Sequence, residues 1–402
     1  MQVLTDKDVV IMPAARFSYM TNDIPYRYRQ NTNFLYLSGF HEPSSVLVLE
    51  KRNGNPYFLL FVKPRDPHTE LWHGPMTGVE RVGEFGADEG LPLSQLSNYL
   101  NALPKSKTIY YSNILTDDDI SDNIQQFLAS GRSVQDATPF VDYMRVVKSE
   151  AEVNVMRKSV SISAVAFKEV MKSTKHCKTE AQLEAIMEYH CRMLGAERLA
   201  YPPVVSNGIT NNTMHYINND NILRDGNLIL MDAGGEFNNF ASDITRSWPV
   251  NGKFTEAQKD VYNEVLNVLH LCTAAVKADG QTNLNTLHAY STQLVEQALK
   301  RLKLPISGES SVRRYYPHTI GHWLGMDVHD VGTVSNELKL MPGMFVTVEP
   351  GLYIPDEPDI PPELRGIGIR IEDDVLVTKG NPYIFTKDVP KEVKDLEAIC
   401  AS

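Results

Sequence analysis

The sequence has few cysteines, no long apolar run and no surplus of positive charge, and each absence excludes a class of protein. Its 402 residues contain four cysteines and no CxxC pair; the cysteines are Cys177, Cys191, Cys272 and Cys400. Such scattered thiols indicate a reducing compartment and argue against a disulfide framework. No apolar run approaches the roughly 18 residues that a membrane-spanning helix needs, so the sequence predicts no membrane span.

Positive charge is in deficit. Lysine and arginine number 39 against 50 aspartates and glutamates, which gives a formal net charge of −11. A surface of this sign repels a phosphate backbone, so we predict no nucleic-acid partner. Residues 1–8 have neither the apolar core of a signal peptide nor an Arg-rich amphipathic transit sequence, and the chain as written is therefore expected in the cytoplasm.

Apolar patterns and helix caps predict two domains. Residues 1–147 carry three strand-like apolar runs and two helical patterns, at 45–49, 57–62, 108–111, 93–103 and 117–128. Ser149 and Glu152 form a capping-box signature ahead of a long helical pattern. A second domain is therefore predicted to occupy residues 148–402.

The second domain uses one order of elements twice. Thr179 and Thr255 begin further capping boxes, and each is followed by a helical pattern. Two helices and then strands, repeated once, is the order expected of a pseudo-symmetric αβ duplication. The predicted fold class is α/β (α+β), with a smaller mixed α/β domain at the N-terminus.

A four-residue apolar run at 228–231 ends in an aspartate and continues through Gly-Gly and Asn-Asn into a second strand. A turn centred between Phe237 and Asn238 would place Asp232 directly opposite Asp243, with Cβ atoms roughly 4.5–5.5 Å apart. Two carboxylates so close in a core repel each other unless a cation neutralises them. We therefore predict a buried metal site; the alternative is a surface hairpin with two unrelated aspartates.

Three residues further along the chain supply what such a site still needs. His322 lies in a glycine-containing stretch, Glu349 follows the strand-like run 344–348, and Glu372 lies in the isoleucine-rich run 368–374. Together with the two aspartates they make four carboxylates and one imidazole. This set favours a pair of hard divalent ions such as manganese over a lone structural zinc.

Three longer sequence motifs around these residues resemble those of a known family. They read HWLGMDVHDV at 322–331, VEPGLYI at 348–354 and GIGIRIEDD at 366–374. With the order Asp, Asp, His, Glu, Glu they resemble aminopeptidase P (Xaa-Pro aminopeptidase), one of the pita-bread metallopeptidases. The resemblance covers nearly the whole chain. It implies a C-terminal pita-bread catalytic domain behind an N-terminal creatinase/aminopeptidase-P-like domain.

The resemblance also implies an activity. It implies two divalent ions, expected to be Mn²⁺, held by the five residues, with Asp243 and Glu372 as bridges. Two ions roughly 3.5–4 Å apart can share a water and present hydroxide to a carbonyl carbon. The expected reaction removes the N-terminal residue from Xaa-Pro peptides. Most peptidases reject proline at the second position, because it lacks an N–H and its ring is rigid.

Further residues are predicted to surround the metal site. Glu349, beside the nucleophilic water, is also the candidate general base. Arg370 lies two residues before Glu372 on a strand and shares its face, so it is predicted to orient the ligating carboxylates rather than to form a surface ion pair. Tyr353 resembles an active-site tyrosine of the family, with core packing as its alternative.

Three more histidines are candidates through the resemblance. In the family, the residue matching His329 hydrogen-bonds the scissile carbonyl or its oxyanion, and those matching His215 and His318 line the substrate pocket. Each of them could instead be a packed polar residue. The spacing of four between His318 and His322 suits one face of a helix, but Gly321 between them fits a loop equally well.

Shorter motifs at 19–26, 174–178 and 200–205 resemble those of the eukaryotic mitochondrial-type branch of the family, Xaa-Pro aminopeptidase 3. That branch is associated with trimming of imported precursor proteins. It makes mitochondria the alternative location if the N-terminus is truncated or processed. Relatives form dimers or tetramers, and a homodimer is expected here.

Four other functions are alternatives. Prolidase shares the ligands but cleaves only Xaa-Pro dipeptides. Methionine aminopeptidase would not require the large N-terminal domain. A non-catalytic interaction protein on the same fold, or a metal-free creatinase-like amidinohydrolase, would have lost ligands that this chain keeps.

Overall fold

The structure is a computed structural model that describes residues 4–402. The chain forms two compact units, Met1–Asp142 and Tyr143–Ser402. No helix among the described residues is long and apolar enough to cross a bilayer.

The part of the first unit that the structure describes is built on one six-stranded sheet. Its strands are β1 (Asp8–Pro13), β2 (Val46–Arg52), β3 (Asn55–Val62), β4 (Glu89–Pro92), β5 (Thr108–Tyr111) and β6 (Ser133–Asp136). The spatial order is β4-β3-β2-β1-β5-β6; β2 is antiparallel to β1 and to β3, and the other neighbouring pairs are parallel. Val9 and Ile11 enter one buried apolar cluster and Val10 and Met12 the other, because successive strand residues face opposite sides.

Short helices follow these strands in the chain. They are α1 (Thr32–Ser38), α2 (Pro67–His73), α3 (Leu96–Ala102), α4 (Asp118–Leu128) and α5 (Thr138–Arg145). Within α4, Ile120, Ile124 and Phe127 are buried at helical spacing. The strands and helices predicted for this region are confirmed, apart from small shifts at their ends.

The second unit shows the repeated order of elements predicted from the sequence. Helices α6 (Glu150–Ser173) and α7 (Glu180–Met193) precede the strands around the two aspartates. Helices α8 (Glu256–Ala274) and α9 (Leu284–Arg301) precede the strands around the two glutamates. The predicted capping boxes of α6, α7 and α8 are present, so these helices begin where the sequence places them.

The strands of this unit form small antiparallel sheets. They are β7 (Arg198–Leu199), β8 (Val204–Asn207), β9 (Leu228–Ala233), β10 (Gly235–Phe237), β11 (Phe240–Ala241), β12 (Ile244–Pro249), β13 (Phe345–Val348), β14 (Gly351–Tyr353), β15 (Gly368–Arg370), β16 (Asp373–Leu376) and β17 (Tyr383–Ile384). Two short helices complete the unit, α10 (Glu309–Val312) and α11 (Val393–Ala401). The predicted mixed α/β class is confirmed.

The predicted register of the aspartate hairpin is wrong by two residues. The turn consists of Asn238 and Asn239, both with positive φ (47° and 60°), a conformation that asparagine tolerates and that two-residue hairpin turns require. Thr245, not Asp243, therefore stands opposite Asp232. Asp243 occupies the diagonal position, where side chains still share one face of the sheet.

Candidate metal centre

The aspartate hairpin is held closed by a contact that only glycine permits. A Cβ atom on Gly234 would lie 1.7 Å from the backbone oxygen of Ser242. The two strands can approach only because that atom is missing. The approach brings Asp243, which is 4% exposed, beside Asp232 on the end of β9.

His322 lies on irregular backbone, so the loop alternative for the His318–His322 stretch is the correct one. This loop runs beside β13. The backbone N–H of Glu349 donates to the Ile320 oxygen at 2.7 Å, and that of Thr347 donates to the His322 oxygen at 3.0 Å. A Cβ on Gly321 would stand 2.0 Å from the Thr347 oxygen, so the close packing of loop and strand depends on this glycine.

The proposed ligand atoms converge. Nε2 of His322 lies 3.3 Å from Oδ2 of Asp243 and 3.6 Å from Oε1 of Glu349. Asp243, His322 and Glu372 each offer an atom within 4.8 Å of the other two. Nδ1 of His322 is 3.0 Å from the Trp323 carbonyl oxygen, an acceptor. Nδ1 therefore carries a proton, and Nε2, which faces the carboxylates, is the atom that a metal ion would bind in place of its second proton.

The electrostatics of the cluster fit a divalent cation. Burial, followed by neighbouring carboxylates, raises the pKa of Glu372 well above its ordinary value. Burial raises the pKa of Glu349 to about 7, with His322 and Arg370 opposing the shift. Burial likewise raises the pKa of Asp232. Anions this close are costly without compensating positive charge, and carboxylate oxygens with one imidazole are ligands that hard divalent ions accept.

Arg370 connects the metal site to a second group of side chains. It is buried, its Nη2 donates to Oδ2 of Asp232 at 2.5 Å, and its Nε donates to the hydroxyl of Thr245 at 3.2 Å. The sequence predicts that Arg370 orients the ligating carboxylates. In the structure the carboxylate that it contacts is Asp232. Nη1 donates to the Tyr353 hydroxyl at 3.0 Å.

The hydroxyl of Tyr353 is also hydrogen-bonded to His318. Nδ1 of His318 lies 2.8 Å from the Thr319 carbonyl oxygen, so it carries the proton. Nε2 then accepts the hydrogen bond from the Tyr353 hydroxyl at 2.9 Å. Burial, with the charge of Arg370, lowers the pKa of His318 to about 3, so the ring is neutral. Tyr353 is therefore packed in the core and also hydrogen-bonded to two predicted site residues, Arg370 and His318, so its two predicted roles do not exclude each other.

A cavity of about 500 Å³ opens over the cluster. It is lined by all the predicted site residues except Tyr353, namely His215, Asp232, Asp243, His318, His322, His329, Glu349, Arg370 and Glu372. The His329 ring lies edge-on to that of His322, with centroids 4.5 Å apart. Apolar side chains, among them Val204, Met214 and Val328, share the lining. The structure therefore brings together residues that stand up to 171 positions apart in the sequence, Tyr201 and Glu372.

Sequence reasoning missed two residues of this site. The Tyr201 hydroxyl lies 2.7 Å from Oδ1 of Asp232 and 2.5 Å from Oδ1 of Asp243. The Thr245 hydroxyl donates to Oε2 of Glu372 at 2.6 Å. Thr245 could have been found, because it lies two residues beyond Asp243 and shares its face. Tyr201 lies 31 residues before Asp232, and no local pattern indicated it beyond its place in the motif at 200–205.

Replacing Tyr201 by phenylalanine is expected to weaken metal binding by about 10–100-fold, the usual effect of losing a hydrogen bond to a ligating group. The hydroxyl contacts both carboxylates, so its loss removes one constraint from each, and Asp232 keeps its hydrogen bond from Arg370. Titration of metal-stripped protein with Mn²⁺ measures the change. Tyr189→Phe, at an exposed position of α7, is the control and should bind as the wild type does. Equal affinities for both variants would show that Tyr201 does not orient the ligands.

Sequence profiles match both units. Residues 154–379 match the family described as Metallopeptidase family M24, and residues 1–110 match Aminopeptidase P, N-terminal domain. Xaa-Pro aminopeptidase 3 of Mus musculus is 40% identical over 99% of this chain and 81% of its own length. Intermediate cleaving peptidase 55, mitochondrial, of Arabidopsis thaliana is 36% identical over 99% of this chain and 80% of its own length.

Solved structures agree with these sequence matches. Icp55 from Saccharomyces cerevisiae superposes with a TM-score of 0.92 at 34% identity, covering 99% of this chain and 94% of that one. Zn-substituted E. coli aminopeptidase P in complex with product has a TM-score of 0.92 at 32% identity, covering 99% and 95%. Both the fold and the predicted resemblance are confirmed by these relatives.

Proposed function

This chain belongs to metallopeptidase family M24, and from that premise we propose that it is a metal-dependent aminopeptidase that removes the N-terminal residue from peptides with proline at the second position. The observation that carries this proposal is the group of four carboxylates and one imidazole, two of them buried and three half-buried, at the floor of a cavity lined by further histidines. The relatives named Xaa-Pro aminopeptidase match nearly the whole chain, which supports the substrate class.

The proposed ligands of two divalent ions are Asp232, Asp243, His322, Glu349 and Glu372, with Asp243 and Glu372 as bridges. Mn²⁺ is the proposed metal, since carboxylate-rich sites suit hard ions. Such ions, when bound, supply an activated water nucleophile and polarise the scissile carbonyl. Their positive charge would offset the burial and mutual repulsion that raise the pKa values of Asp232, Glu349 and Glu372.

The protein groups have separate roles in this proposal. Glu349 lines the cavity with its Oε1 3.6 Å from Nε2 of His322, and it is proposed to accept the proton of the attacking water. His329 donates a hydrogen bond to the carbonyl oxygen as negative charge develops there. Arg370 holds Asp232 in place through a charge-assisted hydrogen bond.

His215 and His318 are proposed to contact the substrate, and Tyr353, which does not line the cavity, to act through its hydrogen bond to His318. A proline nitrogen donates no hydrogen bond, so its ring needs an apolar surface and not an acceptor. Val204, Met214 and Val328 provide apolar lining beside these polar groups. Neutral His318 can contact the ring without the desolvation cost of a charge.

Release of the first residue from a Xaa-Pro-Yaa tripeptide tests this function. Metal-stripped protein is expected to be inactive, and added Mn²⁺ is expected to restore cleavage of the tripeptide while the Xaa-Pro dipeptide stays intact. Mass spectrometry of both digests measures the outcome. Cleavage of the dipeptide alone would assign prolidase activity. Bound metal with no cleavage of either peptide would favour a non-catalytic interaction protein on this fold.

Three finer statements complete the proposal. Substrates that are processed precursor proteins are supported by the relatives named intermediate cleaving peptidase. The location proposed from the sequence is the cytoplasm, with mitochondria as the alternative, and the Arabidopsis thaliana relative named as mitochondrial supports that alternative. A homodimer, or a tetramer, is proposed from the resemblance to aminopeptidase P.

A further inference from the structure

A buried group of ions lies behind the active-site cavity and contains none of the proposed metal ligands. The side chain of Asp330 is 1% exposed and is paired with Lys148 and Arg145, whose side chains are 2% and 4% exposed. Nζ of Lys148 lies 3.0 Å from Oδ2, and Arg145 donates to Oδ1. Arg145 also donates to Asp327 at 3.0 Å, so two cations meet two carboxylates. Burial alone would raise the pKa of Asp330, but the two cations hold it below its ordinary value.

The loop that carries His329 is wound around this carboxylate. The backbone N–H of Asp330 donates to the Trp323 oxygen at 3.0 Å, and that of Asp327 donates to Oδ1 of Asp330 at 3.3 Å. A Cβ on Gly325 would lie 2.2 Å from Oδ2 of Asp330 and 2.9 Å from Cε of Lys148. The ion group therefore has space only because residue 325 is glycine.

The backbone beyond the carboxylate is strained. Val331 has φ of +44°, in the left-handed region, where a β-branched residue is rarely found. Such a conformation persists only when the surrounding structure over-determines it. Val331 is itself buried in the core of this unit, and the ion-paired Asp330 directly precedes it. The strained turn leaves Asp330 in the interior while His329 lines the cavity.

We propose that Asp330, clamped by Lys148 and Arg145, is a positioning residue that holds the His329 ring against the scissile carbonyl. The inference rests on the role of His329 in the proposed function. A donor to a developing oxyanion must be held close to its productive geometry, and a flexible loop cannot do that alone. The ion group supplies the rigidity from the side of the loop that faces away from the substrate.

The test compares Asp330→Asn with the wild type in Mn²⁺-dependent tripeptide cleavage. We expect kcat to fall by about 10²-fold, the scale of a misplaced catalytic group. The Mn²⁺ content should not change, because no ligand is altered. KM should change by less than about threefold, since the lost interaction is one made in the transition state.

A double-variant comparison separates positioning from general destabilisation. His329→Ala removes the ring that Asp330 is proposed to hold, so Asp330→Asn should cost nothing further in that background. Lys148→Gln should lower kcat and Lys148→Arg should restore most of it, which keeps the test decisive if Asp330→Asn does not fold. Glu50→Gln is the matched control: Glu50 is 5% exposed, is paired with Arg52 and Lys107 in the other unit, and should keep wild-type kcat.

Each outcome decides a different question. A wild type that binds Mn²⁺ but leaves the tripeptide intact overturns the proposed function, and the positioning role with it. An active wild type together with a folded, equally active Asp330→Asn overturns the positioning role alone. Loss of Mn²⁺ from Asp330→Asn, or full multiplication of its effect with that of His329→Ala, would do the same, because the residue would then act on the metal site or on stability.

Discussion

Replacing Asp243 by alanine is expected to lower kcat/KM for a Xaa-Pro-Yaa tripeptide by more than about 10³-fold, because metal ions contribute several kcal/mol of transition-state stabilisation and each 1.36 kcal/mol is a factor of ten. Asp243 is buried, lies within 3.3 Å of Nε2 of His322 and accepts from the Tyr201 hydroxyl. As a proposed bridge it contributes to both ions, so its removal affects the whole site. Steady-state kinetics with excess Mn²⁺ measures the loss.

Thermal unfolding provides a second measurement for the same variant. Mn²⁺ at about 100 times its dissociation constant should stabilise the wild type by about 2.7 kcal/mol, since it binds the folded state. Asp243→Ala should show little of this gain. Asp260→Ala, which removes an exposed carboxylate from α8, should behave as the wild type in both measurements. An Asp243→Ala variant that stays active and is stabilised by Mn²⁺ would remove Asp243 from the ligand set.

Replacing Glu349 by glutamine is expected to lower kcat by about 10³-fold, within the range assigned to general acid–base catalysis. Glutamine keeps the size of the side chain and one ligating oxygen but cannot accept the proton of the attacking water. Because one ligating oxygen remains, the variant should retain more metal than Asp243→Ala does, and metal analysis beside the kinetics distinguishes the two effects.

The control for this variant is Glu363→Gln, at an exposed position of the same unit, which should leave kcat unchanged. A Glu349→Gln variant with full metal content and wild-type kcat would show that another group accepts the proton. A variant without metal would show that Glu349 acts as a ligand first, and its role as a base would then need a different test.

The candidate ligands could be recognised from the sequence because each lies in a short motif whose local chemistry is unusual. An aspartate that ends a four-residue apolar strand, and a glutamate in an isoleucine-rich strand, would each be costly in a core unless something compensates the charge. Helix starts were equally readable, because a capping box is a contact between residues three apart. The position of Arg370 was predicted from strand alternation alone.

The partners across the site were not readable in the same way. The two-residue error in the hairpin register arose because the turn was centred one residue too early, and only backbone conformation shows that Asn238 and Asn239 both adopt positive φ. The identity of the carboxylate that Arg370 contacts was likewise open, because it depends on how β15 lies against β9. The tautomers of His318 and His322 follow from carbonyl oxygens that their sequence neighbours place nearby only in the folded loop.

By itself, the sequence determined the fold class, the candidate ligand set and the family resemblance. Helix caps, strand alternation and sequence motifs each depend on residues that are close along the chain, so they can be recognised without the structure. Tertiary structure alone decided which carboxylates Tyr201 joins, how Arg370 reaches His318 through Tyr353, and that Asp330 is clamped by cations about 180 residues earlier in the chain. The physical reason is distance. A hydrogen bond acts over about 3 Å, and no local pattern records which distant residue folding will bring within that range.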